Sequence, residues 1–112
     1  MVRNPGSGGC LVRQQADEER PVPHHKPVAL VERAIGNSSK CRDIALDPFG
    51  GSGSTLIACE KAGRQARLVE LDPKYVDVII LRWQEFSGGA ATLDDDGRTY
   101  EETAAEREAV AA

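Results

Sequence analysis

The run Asp47-Pro48-Phe49-Gly50-Gly51-Ser52-Gly53-Ser54-Thr55 constrains this chain more than any other part. It follows a short apolar stretch, Ile44-Ala45-Leu46, and precedes the helix-like segment Leu56 to Ala62, which stops at Gly63. Strand, glycine turn and helix in that order let a ligand approach bare backbone and meet the amides at a helix start.

The rest of the pattern fits the same architecture. Pro27 to Ile35 reads as a helix, with Val28, Val31 and Ile35 on one face and Gly36 at its end. Asp43 to Asp47 reads as a strand, apolar within, as expected where helices cover both faces. Ala66 to Glu70 reads as a second strand. Asp72 caps a third helix with Pro73 in its first turn. Along that helix Tyr75, Ile79, Trp83 and Phe86 form a wide stripe, expected to be buried against a sheet.

Helices alternating with strands imply parallel strands joined by a right-handed crossover. The fold class is therefore α/β: a partial Rossmann-like fold, an incomplete parallel sheet with flanking helices. Two strands leave both edges open and stand alone poorly. The chain reads as a section of a larger doubly wound domain. Residues 1–24 are expected to be disordered or atypical, 25–88 to form the ligand-binding section, and 89–112 an acidic tail with a marginal helix. At 112 residues, one small domain is the upper bound, and its core is marginal enough to favour aggregation or dimerisation.

Charge narrows the partners. Residues 1–42 hold seven Lys/Arg against four Asp/Glu, residues 43–88 five against seven, and residues 89–112 two against seven. The net charge of -4 supplies no basic surface for a duplex. No apolar run approaches a membrane span, and no signal-peptide pattern opens the chain. Cys10, Cys41 and Cys59 have no metal spacing and read as small hydrophobes or exposed thiols, which fits a reducing cytoplasm. His24-His25 has no partner at a familiar metal spacing, so no metal is expected.

The turn discriminates between ligand types. A triphosphate cradle needs GxxxxGK[ST], and no Lys follows these glycines. A dinucleotide fingerprint needs GxGxxG; Gly51 and Gly53 supply the first pair, but Leu56 holds the third place and would crowd a pyrophosphate. A methyl donor with a sulfonium needs close backbone approach and nearby carboxylates, and no phosphate cradle. S-adenosylmethionine is therefore the expected cofactor. Asp47 is placed to accept from its amino group, and Phe49 to lie against the sulfonium or adenine. Gly51 and Gly53 leave room for the methionine part, while Ser52, Ser54 and Thr55 offer hydroxyls. Glu70, 23 positions after Asp47, stands where such folds grip ribose hydroxyls. Leu71 would border the adenine. Asp72 either reaches the adenine edge or simply caps the helix. Lys26 either contacts the cofactor carboxylate or is a surface charge.

These residues resemble a family. The chain is similar to the C-terminal part of bacterial and phage DNA methyltransferases that modify an exocyclic amino group of adenine or cytosine. His25-Lys26-Pro27-Val28-Ala29-Leu30 resembles the end of that family's His-Pro-Thr-x-Lys-Pro segment. The Asp47–Thr55 turn resembles its cofactor loop, and Glu70-Leu71-Asp72-Pro73-Lys74-Tyr75 its acidic ribose motif. Arg82 to Gly88 resembles a common end of the following helix. The similarity spans about residues 25–110.

The resemblance implies cofactor-binding roles for Lys26, Asp47, Pro48, Phe49, Gly50, Gly51, Ser52, Gly53, Glu70, Leu71 and Asp72. It implies DNA as a partner, through parts mostly absent from this chain. A complementary methyltransferase subunit or a homodimer is a further candidate. The family's catalytic Asp-Pro-Pro-Tyr is missing; no Pro-Pro pair occurs anywhere in the chain. No catalytic residue is therefore assigned, and the chain alone is expected to be inactive. The alternative is a small non-catalytic nucleotide- or partner-binding module.

Overall fold

The computed structural model describes residues 1–4 and 27–111. Among these the elements run β1 (Val2–Arg3), α1 (Val28–Ser38), β2 (Ile44–Asp47), α2 (Ser54–Ala62), β3 (Gln65–Leu68), α3 (Pro73–Ser87) and α4 (Tyr100–Ala111). β2 and β3 pair in parallel, Ile44 opposite Gln65 and Asp47 opposite Leu68, with α2 between them in sequence. This is the expected strand–helix–strand unit. β1 adds to the other side of β3 in the antiparallel sense, so the sheet is mixed, in the order β1-β3-β2.

No regular element was expected before Pro27, and β1 corrects that for residues 1–4. Asn4 holds the strand in place. It is 3% exposed, its Oδ1 accepts from the Ala66 amide at 2.7 Å, and its Nδ2 donates to the Arg64 carbonyl at 2.9 Å and to Glu60 at 3.1 Å. These partners lie some 60 positions away, beyond the reach of any local pattern. The remainder of the N-terminal segment, 5–24, lies outside the described residues.

α1 begins one residue later than expected and runs past Gly36 to Ser38, where Ser39 turns extended and donates its hydroxyl to the Ile35 carbonyl at 2.6 Å. A glycine inside a helix costs only about 0.5–1 kcal/mol. α2 ends at Gly63 (φ 71°) and α3 at Gly88 (φ 72°), both left-handed closures. α4 starts with a reciprocal cap: the Thr99 amide donates to Glu102 at 2.8 Å and the Glu102 amide to the Thr99 hydroxyl at 3.3 Å. None of its residues is buried.

Side chains alternate across a strand. Ala66 and Leu68 point into one core with Val28 of α1, Leu56, Ile57, Ala58 and Cys59 of α2, and Ile79 and Trp83 of α3. The three helices therefore gather on a single face. The opposite face stays open, with Ile44 63%, Leu46 69% and Val69 45% exposed. This corrects the expectation that β2 is covered on both sides. Its apolar residues are those of a strand built for two covers, of which the described residues supply one.

The α3 stripe is corrected in the same way. Ile79 and Trp83 are buried, but Tyr75 and Phe86 are exposed because the core touches only the middle of this 15-residue helix. Cys41, expected as a plain thiol, is disulfide-bonded. Among the described residues, no helix is long and apolar enough to cross a membrane.

Candidate functional site

The parallel pair delivers two loops to the same end of the sheet. Beyond β2 and β3 the strands stay in register: the Val69 amide donates to the Asp47 carbonyl and the Gly50 amide to the Val69 carbonyl, both at 2.9 Å. This brings the residues after Asp47 beside those after Leu68. The carboxyl ends of parallel strands are where open α/β sheets bind ligands.

The turn owes its shape to two glycines and one carboxylate. Gly51 (φ 57°) and Gly53 (φ 87°) take left-handed conformations that a side chain resists. A Cβ on Gly53 would stand 3.2 Å from both Cγ1 and Cγ2 of Ile79. Asp47 accepts from the Phe49 amide at 3.0 Å through one oxygen and from the Thr55 hydroxyl at 2.7 Å through the other. Thr55 thus ties the helix start to the strand end. α2 itself has no side-chain cap.

Glu70 meets this turn. Its carboxylate accepts from the Gly51 amide at 2.7 Å and, through its second oxygen, from the Asp72 amide at 3.1 Å. Asp72 caps α3 by accepting from the Lys74 amide at 2.9 Å, so the capping reading of that residue is realised. Phe49 (81%) and Leu71 (98%) are exposed apolar side chains on the two loops.

Asp47, Phe49, Gly50, Gly51 and Ser52 line a hollow of ≈ 90 Å³ with Ser54 and Thr55. Glu70 does not line it and touches the loop at Gly51. Pockets that enclose small ligands measure roughly 300–1,000 Å³. At that size the hollow would enclose only part of a small ligand.

Of the expected site residues, the structure brings together Asp47, Pro48, Phe49, Gly50, Gly51, Ser52, Gly53, Glu70, Leu71 and Asp72 on two adjacent loops. Lys26 lies outside the described residues, as do His24 and His25. Among the described residues no group of three or more His, Cys, Asp or Glu could hold a metal ion.

The sequence reading misses the groups that hold the turn from outside. Ile79 packs against Gly50 and Gly53. Arg82, one turn further along α3, reaches Ser52 and Ser54. Their spacing of three along one helix face is the available signal; from sequence, Ile79 reads as core and Arg82 as part of a motif end.

Residues 10–81 match the DNA methylase family N6/N4. The chain is similar to the type II methyltransferase M.Cfr9I of Citrobacter freundii, 41% identical over 58 residues, which are 52% of this chain and 19% of that protein. It is similar to M.HpaI of Haemophilus parainfluenzae, 34% identical over 76 residues, 68% of this chain and 24% of that protein. Among solved structures it resembles a Thermus thermophilus protein assigned as a DNA modification methylase and complexed with S-adenosyl-L-methionine. That match has TM-score 0.54 and 41% identity over 56% of this chain and 26% of that one. The chain thus spans about a quarter or less of the length of these relatives. Matched over most of its length, it belongs to the N6/N4 DNA methylase family.

Proposed function

We propose that this chain is the S-adenosylmethionine-binding section of a DNA methyltransferase acting on an exocyclic amino group of adenine or cytosine. One observation carries the reading: the Glu70 carboxylate stands 2.7 Å from the Gly51 amide, where the glycine turn and the acidic loop meet at the carboxyl ends of β2 and β3. The solved relative with S-adenosyl-L-methionine bound supports the choice of cofactor.

The donor set fits the group. Glu70 offers acceptors for two ribose hydroxyls, an arrangement a neutral side chain matches less well. Gly51 lacks a Cβ on the open side of the loop, where one would meet nothing closer than the Phe49 carbonyl at 3.9 Å, while the space left by Gly53 is taken by Ile79. Asp47 keeps lone pairs beyond those used by Phe49 and Thr55 and is proposed to accept from the cofactor's amino group. Phe49 and Leu71 offer apolar faces to the adenine and sulfonium. Pro48, Gly50 and Ser52 shape the loop, and Asp72 and Lys26 complete the proposed contact set. Bound there, S-adenosylmethionine supplies an electrophilic methyl group.

No motif in the sequence positions the acceptor. A base amino group is a weak nucleophile, and amino-directed enzymes hold a flipped base with polar acceptors and a stacking face. Without a Pro-Pro motif, the chain by itself binds the donor and leaves DNA unmethylated. The DNA, and a complementary section or second copy, are partners of the whole enzyme.

Calorimetric titration of the full chain tests the reading. S-adenosylmethionine or its demethylated product should bind, a nicotinamide dinucleotide should not, and labelled methyl groups should not enter DNA. Binding of the dinucleotide, or no binding by a folded chain, favours the small partner-binding module and overturns the proposal. Methyl incorporation would overturn the inactivity of the chain alone.

A further inference from the structure

We infer that Arg82 is a positioning residue for the glycine turn; the inference rests on the cofactor reading for its function and on geometry alone for its mechanics. The Arg82 Nη1 lies 3.3 Å from the Ser52 carbonyl, 3.5 Å from the Ser52 hydroxyl and 3.3 Å from the Ser54 hydroxyl. One donor group from α3 therefore faces the peptide between the two left-handed glycines and the first residue of α2.

The turn needs such a brace. Gly51 and Gly53 are the residues with the most backbone freedom, and they flank Ser52 on both sides. Gly53, the residue before α2, has no side chain to cap the helix. Two other ties in the turn are the Gly53 amide to the Gly50 carbonyl at 3.0 Å and the Gly51 amide to Glu70 at 2.7 Å. The first closes the four-residue turn that contains Ser52, and the second ends at Gly51; neither bonds an atom of Ser52 itself. Glu70, moreover, is the group proposed to turn toward the ribose. When it does, Arg82 remains as the contact on Ser52 itself, beside the Gly53–Gly50 bond and the Ile79 packing.

The placement of Arg82 follows from the helix. Ile79 and Arg82 are three apart and share a face. Ile79 presses on Gly53 from one side while its aliphatic contacts also meet Gly50. Arg82, one turn later, extends past it to the buried Ser54, 5% exposed, and to Ser52. All three contacts come from one nitrogen, and the guanidinium plane fixes the direction of its N–H groups, which a rotating ammonium does not. The distances are long for charge-assisted bonds, so the role is to limit the turn's excursions and not to lock it.

The test compares wild type with Arg82→Ala, Arg82→Lys and Glu70→Ala in the full chain, by amide hydrogen exchange without ligand and by titration with S-adenosylmethionine. Arg82→Ala should speed exchange at residues 50–55 by about tenfold and weaken binding by about the same factor, as expected for one lost ordinary hydrogen bond. Exchange in β3 and α1 should not change, and Arg82→Lys should recover part of both effects. Wild-type exchange at 50–55 in Arg82→Ala overturns the inference. So does a uniform rise across the whole chain, which marks a merely structural residue.

The two readings fail separately. If wild type does not bind the cofactor but Arg82→Ala still frees the turn, the brace stands and the cofactor reading falls. If Glu70→Ala weakens binding and Arg82→Ala leaves it unchanged, the cofactor reading stands and the brace falls. Should Arg82→Ala not fold, wild-type exchange at 50–55 in Arg82→Lys overturns the inference, and faster exchange confined there supports it.

Discussion

Replacing Gly53 by Ala should destabilise the chain far more than replacing Gly51. Both residues are left-handed, at φ 87° and 57°, and an L-residue there costs about 1–2 kcal/mol. At Gly51 that is nearly the whole effect, because a new Cβ would meet nothing closer than the Phe49 carbonyl at 3.9 Å. At Gly53 the new methyl group would stand 3.2 Å from two Ile79 carbons and 3.4 Å from the Ile79 Cα. Ile79 is fully buried, so it cannot move aside, and overpacking of this kind costs about 1–3 kcal/mol more. The totals are about 1–2 kcal/mol for Gly51→Ala and about 2–5 kcal/mol for Gly53→Ala. Urea titration followed by fluorescence of Trp83, the single tryptophan and 9% exposed, reads both. Adding Ile79→Ala to Gly53→Ala should cost less than the sum of the two single changes, since it deletes the atoms that clash. Equal losses at 51 and 53, or strict additivity with Ile79→Ala, would refute the claim that α3 presses directly on the turn.

Three further outcomes follow from the fold. Asn4→Ala leaves the Ala66 amide and the Arg64 carbonyl unpaired and should cost about 1–3 kcal/mol, read in the same titration. Burial pushes the Cys59 thiol from 9.0 up to about 11; the folded chain keeps a proton that the unfolded chain loses, so stability falls as pH rises from 9 to 11, by about 2–3 kcal/mol in all, and Cys59→Ala should remove that part of the slope. Leu46→Lys on the open sheet face should reduce self-association in sedimentation without lowering the melting temperature, since Leu46 is 69% exposed and outside the core.

The glycine turn is more legible in the sequence than the packing around it. The turn announces itself through residues with few other uses: paired glycines after a strand, Asp47 before them, Glu70 at a set distance after. Asp72 and Pro73 mark the start of α3 because capping is a local affair. What escapes the sequence depends on distant contacts. β1 is two residues long and is held by its pairing with β3 and by Asn4, whose partners lie some 60 positions away. The expected burial of β2 rests on Ile44 and Leu46, whose apolar character reports a cover that the described residues do not contain. Gly36 looks like a helix end, yet a lone glycine is too weak a break when Ser39 supplies the stop. Arg82 stands in a familiar helix ending, but nothing there marks its contact with Ser52 and Ser54, which depends on where α3 crosses the turn.

The claim on which the rest depends is that Glu70 takes hold of a sugar, and a double-mutant cycle addresses it directly. Affinities of wild type and Glu70→Ala would be measured for S-adenosylhomocysteine and for its 2′-deoxy analogue. Removing the hydroxyl should weaken wild-type binding by about 10- to 100-fold, the worth of a hydrogen bond to a charged group, and Glu70→Ala should abolish most of this difference. An unchanged ratio between the two ligands in Glu70→Ala would contradict it.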